Sequence, residues 1–164
     1  MRKYYKLSLI ALTLAVCGSA NAGSLVGNKA TVDAPITVSA SNNTTAVWSA
    51  ENIGTNGFAD WQKLGSLTIT ATGSHDAINI TGEGAQTTGG HVRVPFKDAQ
   101  GNAVFFGRTN GKELNDSGID GLAGWSHISS EETPVAIEVY AAGQKASLNP
   151  GTYTAKFYIQ QWQN

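Results

Sequence analysis

The sequence has little cysteine, proline and charge. Its 164 residues include one cysteine, four prolines and 14% charged residues, whereas about a quarter of a typical globular sequence is charged. A lone cysteine excludes a fold held together by internal disulfides. The near balance of 11 basic and 12 acidic residues argues against the basic surface that nucleic acids require.

What the sequence does contain favours β-structure. There are 19 glycines, and 41% of the residues are apolar, which is too much for a disordered chain. Glycine, threonine, serine, asparagine and valine are abundant, whereas the helix formers leucine, glutamate and lysine are scarce. This composition is typical of short strands joined by tight turns. We therefore expect a single all-β domain.

The N-terminus has the three parts of a secretory signal peptide. Residues 1–6 are basic, residues 7–16 form an apolar run, and Ala20-Asn21-Ala22 supplies a small-x-small cleavage site. An apolar run of ten residues is too short to span a bilayer, which takes about 20. Cleavage after residue 22 would remove Cys17 and leave 142 residues with a net charge of −4. Val16 before Cys17 argues against a lipid-attachment signal, which has a small residue there.

Alternating apolar and polar residues predict a series of short strands. The predicted strands cover residues 36–40, 46–48, 64–71, 78–81, 91–96, 103–106, 134–141 and 152–162. We expect a loop with one helical turn over residues 109–124, which are rich in Gly, Asn and Asp. Seven or eight strands in one domain indicate a β-sandwich with Greek-key connections.

The two ends of the expected mature chain have complementary patterns. Residues 23–34 have no local hairpin partner, and four of their apolar side chains fall on even positions: Val26, Ala30, Val32 and Ala34. The last predicted strand has an apolar face made of Tyr153, Ala155, Phe157 and Ile159. Periodicity alone favours an edge strand at the C-terminus and a flexible arm at the N-terminus.

The order of several motifs resembles subunits of bacterial chaperone–usher pili. In that family a glycine lies fourteen residues from the end, and an aromatic residue is next to last. Here Gly151 is fourteenth from the end and Trp162 is third. Residues 63–69 (KLGSLTI) resemble the L-G-x-L-T segment of the capsule-forming, Saf-like and Dr/Afa-like thin-fibre pilins, and residues 109–114 (TNGKEL) resemble their N-G-x-x-L segment.

The resemblance implies an all-β, incomplete immunoglobulin-like β-sandwich that lacks one strand and is completed by a neighbouring subunit. Residues 1–22 would be the signal peptide, 23–34 a donor-strand extension and 35–164 the pilin domain. The donor side chains would be Val26, Ala30, Val32 and Ala34. The acceptor groove and chaperone interface would contain Ile36, Val38, Gly151, Tyr153, Ala155, Phe157, Ile159 and Trp162. Asn28, on the same even positions as the donor residues, has no evident role in an apolar groove.

The implied partners follow from this mode of assembly. They are identical subunits in a head-to-tail fibre, a periplasmic chaperone, an outer-membrane usher and a host cell-surface receptor, either glycan or protein. The mature protein would pass through the periplasm to a fimbrium on the bacterial surface, where it would mediate attachment or form a protective coat. A monomeric secreted carbohydrate-binding β-sandwich is the alternative, and a small secreted hydrolase is a weaker one.

No residue pattern indicates catalysis, a metal or a cofactor. His75, His91 and His127 lack the spacing of metal ligands. The contiguous Ser74-His75-Asp76 cannot form a catalytic triad, whose members come from separate segments. Flat aromatic side chains suit contact with sugars or cell surfaces. We therefore predict receptor contact through Trp61 first, and through Trp48 and Trp125 as further candidates.

Overall fold

The computed structural model describes residues 42–129 and 134–164, together with Asn28, Ala34 and Ile36. The predicted donor residues Val26, Ala30 and Val32, the groove residue Val38, and most of the predicted strand at 36–40 lie outside the described residues. The three described positions before residue 42 are exposed. These parts of the sequence prediction stay predictions.

Ten strands make up the described part of the chain. In chain order they are β1 (Asn43–Ala50), β2 (Lys63–Thr72), β3 (Ala77–Gly82), β4 (Gln86–Thr88), β5 (His91–Lys97), β6 (Ala103–Arg108), β7 (Lys112–Leu114), β8 (Gly124–Ile128), β9 (Val135–Ala141) and β10 (Phe157–Trp162), with a 3₁₀ turn at Ile119–Gly121. A six-stranded sheet has the order β1-β2-β9-β6-β5-β4, and a four-stranded sheet has the order β10-β3-β8-β7. All the strand pairs are antiparallel. The all-β immunoglobulin-like fold class is confirmed.

Alternation along the central strands builds the core between the two sheets. In β2, Leu67 and Ile69 are buried and Thr68 between them is exposed. Leu67 lies opposite Ile137 of β9, whose odd positions are also buried. Side chains two residues apart share one face of a strand, so both strands direct their odd positions at the four-stranded sheet.

Trp125 lies at the centre of this core and has no exposed surface. It is opposite Ile80 of β3, which is equally buried. The prediction that Trp125 contacts a receptor is therefore wrong. The sequence around Trp125 has no apolar alternation that would indicate a core position, because its neighbours are polar or glycine and the strand that contains it, β8, has only five residues.

The region predicted as one loop also contains strands. β7 lies within residues 109–124 and β8 begins at Gly124; the expected turn is present as the 3₁₀ segment. β4, with the sequence QTT, was likewise not predicted. These short polar strands lack alternation, and they form because a neighbouring strand supplies backbone partners.

The C-terminal segment passes from one sheet to the other. Thr154 exchanges two backbone hydrogen bonds with Lys97 of the six-stranded sheet, at 2.8 and 2.9 Å. From Phe157 onward the chain pairs with β3 in the four-stranded sheet. The continuous strand predicted over 152–162 is therefore wrong, since a single strand cannot belong to both layers and β10 begins only at Phe157.

A charged cluster surrounds this crossing. The Glu83 carboxylate accepts from Lys97 Nζ at 2.9 Å and lies 3.1 Å from Lys156 Nζ. The hydrogen bond from Lys97, followed by that from Lys156, lowers the pKa of Glu83. The pairs are solvent-exposed, so they orient the crossing segment more than they stabilise the fold.

Replacing Ile69 with alanine tests the core assignment. Because Ile69 is fully buried, we expect the free energy of unfolding to fall by about 2–5 kcal/mol. Thr68→Ala, at the adjacent exposed position, is the matched control and should change it by less than about 1 kcal/mol. Urea unfolding of the full chain measures both, and equal effects would contradict the inward orientation of Ile69.

Candidate functional site: an open groove between two sheet edges

Each sheet has two edge strands in the described part of the chain, and one edge strand of each sheet, β1 or β10, lies on the same side of the sandwich. β1 is at the edge of the six-stranded sheet and pairs only with β2, and β10 is at the edge of the four-stranded sheet and pairs only with β3. Both edges lie on the same side of the sandwich, with Asn43 near Gln161 and Trp48 near Phe157. We call the space between them the β1–β10 groove.

A polar contact closes one end of this groove. The Nε2 group of Gln161 donates to the backbone oxygens of Asn43 and Thr72, both at 2.9 Å. Because both partners are acceptors, the amide orientation is fixed, with Nε2 toward them and Oε1 on the other side. Gln161 Oε1 is buried and has no hydrogen-bond partner among the described residues.

Aromatic rings bridge the middle of the groove. Trp48 of β1 stacks on Phe157 of β10, with ring centroids 6.0 Å apart and planes 24° apart. Trp48 also contacts Phe96 at 6.3 Å. Gly65 makes room for the indole, since a Cβ there would lie 2.3 Å from the Trp48 ring. Trp48 therefore belongs to the groove, and its contact with a receptor stays a prediction.

The other end of the groove opens into a pocket of about 290 Å³. Its walls are mainly apolar and come from the six-stranded sheet, the loop after β1 and the loop before the crossing segment. They include Trp48, Leu64, Phe96, Phe105, Leu148, Gly151 and Tyr153. An empty apolar space of this size beside two free strand edges can receive one large apolar side chain.

The C-terminal residues line the groove with the predicted parity. Their odd positions are half-buried and pack against the core, while the even positions are exposed. The half-buried set is Tyr153, Ala155, Phe157 and Ile159. Trp162 has the opposite parity and is 50% exposed, which places its side chain on the outer face of the sheet. Its prediction as a groove residue is therefore corrected.

Sequence reasoning missed the two side chains that close the groove. Trp48 was identified as an aromatic residue but not placed beside Phe157, because the contact joins segments far apart in sequence. Gln161 was overlooked because it is polar. Its odd position, shared with Phe157 and Ile159, was the available signal that it faces inward.

Trp61 lies on a different surface, the outer face of the six-stranded sheet. It is 51% exposed, and the Arg108 guanidinium carbon lies 3.5 Å from the centroid of its ring. Tyr140 flanks it, with ring centroids 5.7 Å apart. The exposure predicted for Trp61 is confirmed.

Asp60 organises the backbone around Trp61. Its Oδ1 accepts from Arg108 at 2.6 Å, from Gly143 N at 2.7 Å and from Trp61 N at 3.1 Å. The Gly143 N–H, more than the other donors, lowers the pKa of the Asp60 carboxyl. Trp61 itself has φ +62°, a left-handed conformation that is costly for a bulky residue. The three hydrogen bonds hold it there.

No group of three or more His, Cys, Asp or Glu side chains in the described residues is arranged to hold a metal ion. Within the same residues, no helix has the length and apolar character needed to cross a bilayer.

A sandwich with two adjacent free edges and an apolar groove between them defines the class of pilus subunits with an incomplete immunoglobulin-like fold. Comparison with known proteins agrees: residues 4–164 match the model of the SEF14-like adhesin family. The chain is 50% identical over 158 residues to a fimbrial protein of Salmonella enteritidis, covering 93% of this chain and 94% of the relative. The chain belongs to the SEF14-like adhesin family.

Solved structures share the fold at low sequence identity. The Escherichia coli Hda pilus minor tip subunit, HdaB, aligns with a TM-score of 0.60 and 16% identity over 74% of this chain and 84% of that one. The Salmonella SafD adhesin aligns with a TM-score of 0.58 and 16% identity over 76% and 90%. The resemblance to chaperone–usher fimbrial subunits is confirmed, and members of such a family are adhesive or structural subunits, not enzymes.

A double-mutant cycle tests whether Trp48 and Phe157 join the two edges. We expect Trp48→Ala and Phe157→Ala to be non-additive in the free energy of unfolding, with a coupling of about 0.5–1.5 kcal/mol, as for other aromatic pairs. Trp48→Ala combined with Tyr140→Ala, on the opposite face of the six-stranded sheet, should be additive. Chemical denaturation of the unmodified chain, the three single variants and the two double variants measures this, and zero coupling between Trp48 and Phe157 would refute the bridge.

Proposed function

We propose that this protein is the repeating subunit of a surface fimbria and that it polymerises by donor-strand complementation. The observation that carries the proposal is the β1–β10 groove: two free edges with half-buried apolar side chains between them. An unprotected pair of edges is a template for strand addition. In the fibre, residues 23–34 of one subunit would fill the groove of the next.

The donor and the groove are complementary in size as well as in polarity. The four donor side chains are all valine or alanine, and the groove already contains the large rings of Trp48 and Phe157. Small side chains suit the space left above such rings. Their spacing by two or four residues puts them on one face of an extended strand.

Head-to-tail strand donation does not close on itself and therefore produces filaments. A subunit with both a groove and an extension can be repeated indefinitely, which supports a major structural role. Before assembly, the free edges need a temporary partner, and a periplasmic chaperone followed by an outer-membrane usher would serve this purpose. Polymerisation would place the fibre outside the cell.

Deleting residues 23–34 tests this function. We expect the full mature chain, produced with its cognate chaperone and usher, to form ladders that resist SDS and collapse on boiling. The deletion variant should remain monomeric because it has no strand to donate. A chain with several substitutions at odd positions of the extension but with all even positions intact is the matched control, and it should still form ladders.

The outcome that would contradict polymerisation is a full-length chain that stays monomeric in the presence of chaperone and usher. Such a result would favour the alternative, a monomeric carbohydrate-binding sandwich.

We further propose that the fibre attaches to surfaces through the Trp61 site, defined as Trp61, Tyr140, Arg108, Asp60, Glu138 and Lys63. Lys63 lies 3.1 Å from Glu138 and 3.3 Å from Glu51, and the Tyr140 hydroxyl donates to Glu138. An open indole bordered by hydrogen-bonding groups suits a sugar ring, whose C–H face stacks on aromatic surfaces.

The charge around this site favours a neutral ligand. Two cations, Arg108 and Lys63, face three carboxylates, Asp60, Glu138 and Glu51, and every one of them is already paired. Such a surface offers no excess positive charge to an acidic glycan. The proposed receptor is therefore a neutral saccharide.

Trp61→Ala should reduce binding to immobilised neutral oligosaccharides by about tenfold or more, because a half-exposed aromatic residue is a typical binding hot spot. Tyr158→Ala, at an exposed aromatic on the other sheet, is the control and should bind normally. Glycan-array measurements on the full chain would test this. Binding only to sialylated glycans, or binding that is indifferent to Trp61→Ala, would refute the site.

A further inference from the structure

We infer that Asn28 of the donor strand pairs with Gln161 of the acceptor subunit and so sets the register of each junction in the fibre. This inference rests on the proposed assembly mechanism and names the contact that would fix its alignment. It begins with an unsatisfied group: Gln161 Oε1 is buried in the groove and has no hydrogen-bond partner among the described residues.

Gln161 Oε1 lacks a hydrogen-bond donor in the part of the chain that the structure describes. The Nε2 group is committed to the backbone oxygens of Asn43 and Thr72, so the amide cannot rotate to relieve Oε1 without losing two bonds. Buried acceptors without a partner are rare in folded proteins and costly.

The donor strand contains one polar residue among its groove-facing positions between Val26 and Ala34. Asn28 has the even parity of the apolar donor residues, and its Nδ2 group is a hydrogen-bond donor. Facing an apolar surface it would be a defect. Facing Gln161 Oε1, the Asn28 amide would donate to the unpaired acceptor. This pairing accounts both for the polar residue in the donor strand and for the unpaired oxygen in the groove.

This pairing selects the direction of the donor strand. In a parallel alignment with Asn28 beside Gln161, Ala30 and Val32 would pass beyond β10, which ends at Trp162. In an antiparallel alignment, the donor's even positions fall opposite the groove's odd positions. Along β10 the opposed pairs are then Asn28–Gln161, Ala30–Ile159 and Val32–Phe157. Continuing the same spacing would bring Ala34 and Ile36 toward Ala155 and Tyr153 of the crossing segment.

A second feature of the groove fits the same register. Ile36 is eight residues after Asn28, and Tyr153 is eight residues before Gln161. Tyr153 lines the pocket of about 290 Å³ at the open end of the groove, and Ile36 is a large apolar side chain that is 87% exposed in the subunit. One alignment therefore places a donor amide at the orphan acceptor and an isoleucine at the empty pocket. In this register Ile36 acts as a donor residue, not as a groove residue.

Engineered disulfides test the register directly. Apart from Cys17 in the predicted signal peptide, the chain has no cysteine, so introduced pairs report without interference. Directly opposed residues of antiparallel strands have Cα atoms about 4.5–5.5 Å apart, which a disulfide can span. We expect Ala30→Cys with Ile159→Cys to give ladders that survive boiling without reductant and collapse with it. Ala30→Cys with Phe157→Cys, two residues out of register, should not.

Asn28→Ala tests the hydrogen bond itself. It leaves Gln161 Oε1 buried and unpaired, so we expect the lifetime of the ladders in hot SDS to shorten by about tenfold. Thr31→Ala, a polar-to-alanine change at an odd position of the same segment, is the matched control and should not shorten it. In a Gln161→Met background, the additional effect of Asn28→Ala should disappear.

The outcomes separate this inference from the proposed function. If the unmodified chain forms no ladders, donor-strand assembly itself is refuted. If ladders form but Asn28→Ala leaves their lifetime unchanged, or the out-of-register cysteine pair is the one that crosslinks, assembly stands and the Asn28–Gln161 register is wrong. Ladders that form without any crosslink between residues 30 and 159 also count against the register.

Discussion

Backbone N–H and C=O groups along the outer edges of β1 and β10 have no second strand to bond within the described chain, and the rest of the structure is arranged around that deficit. Every central strand is paired on both sides, and the other two edge strands, β4 and β7, have only three residues each. Along the β1–β10 groove, side chains connect the two edges that a further strand would otherwise join. Gln161 ties the edges at one end and Trp48 spans them in the middle.

The groove and the Trp61 site lie on separate parts of the subunit. The edges carry the groove, and neither contributes a residue to the Trp61 site. That site draws on β2, β6 and β9, which lie inside the six-stranded sheet and are held on both sides. A strained, exposed tryptophan can be maintained there because its support is rigid. Filling the groove would leave this face unchanged, so a fibre would repeat the same surface along its length.

Much of the fold was accessible from the sequence because alternation is strong where strands are half-buried. β2, β5 and β9 followed from their alternating apolar residues, and the face of β10 that lines the groove followed from parity. The short strands β4 and β7 were missed because partners, not their own residues, stabilise them. Trp125 was misassigned because a tryptophan's burial depends on contacts distant in sequence. The Gln161 contacts were beyond prediction for the same reason.

The crossing of the C-terminal segment from Lys97 to β3 has a further consequence for a protein with so little cysteine. Between Thr154 and Phe157, the main chain itself connects the two sheets at the rim of the groove. Many small β-sandwiches link their two sheets with a disulfide, which reducing agents break. Here the peptide backbone connects the two sheets, so their alignment does not depend on the redox state of the surroundings. The subunit can keep the same groove geometry in a reducing environment as in an oxidising one.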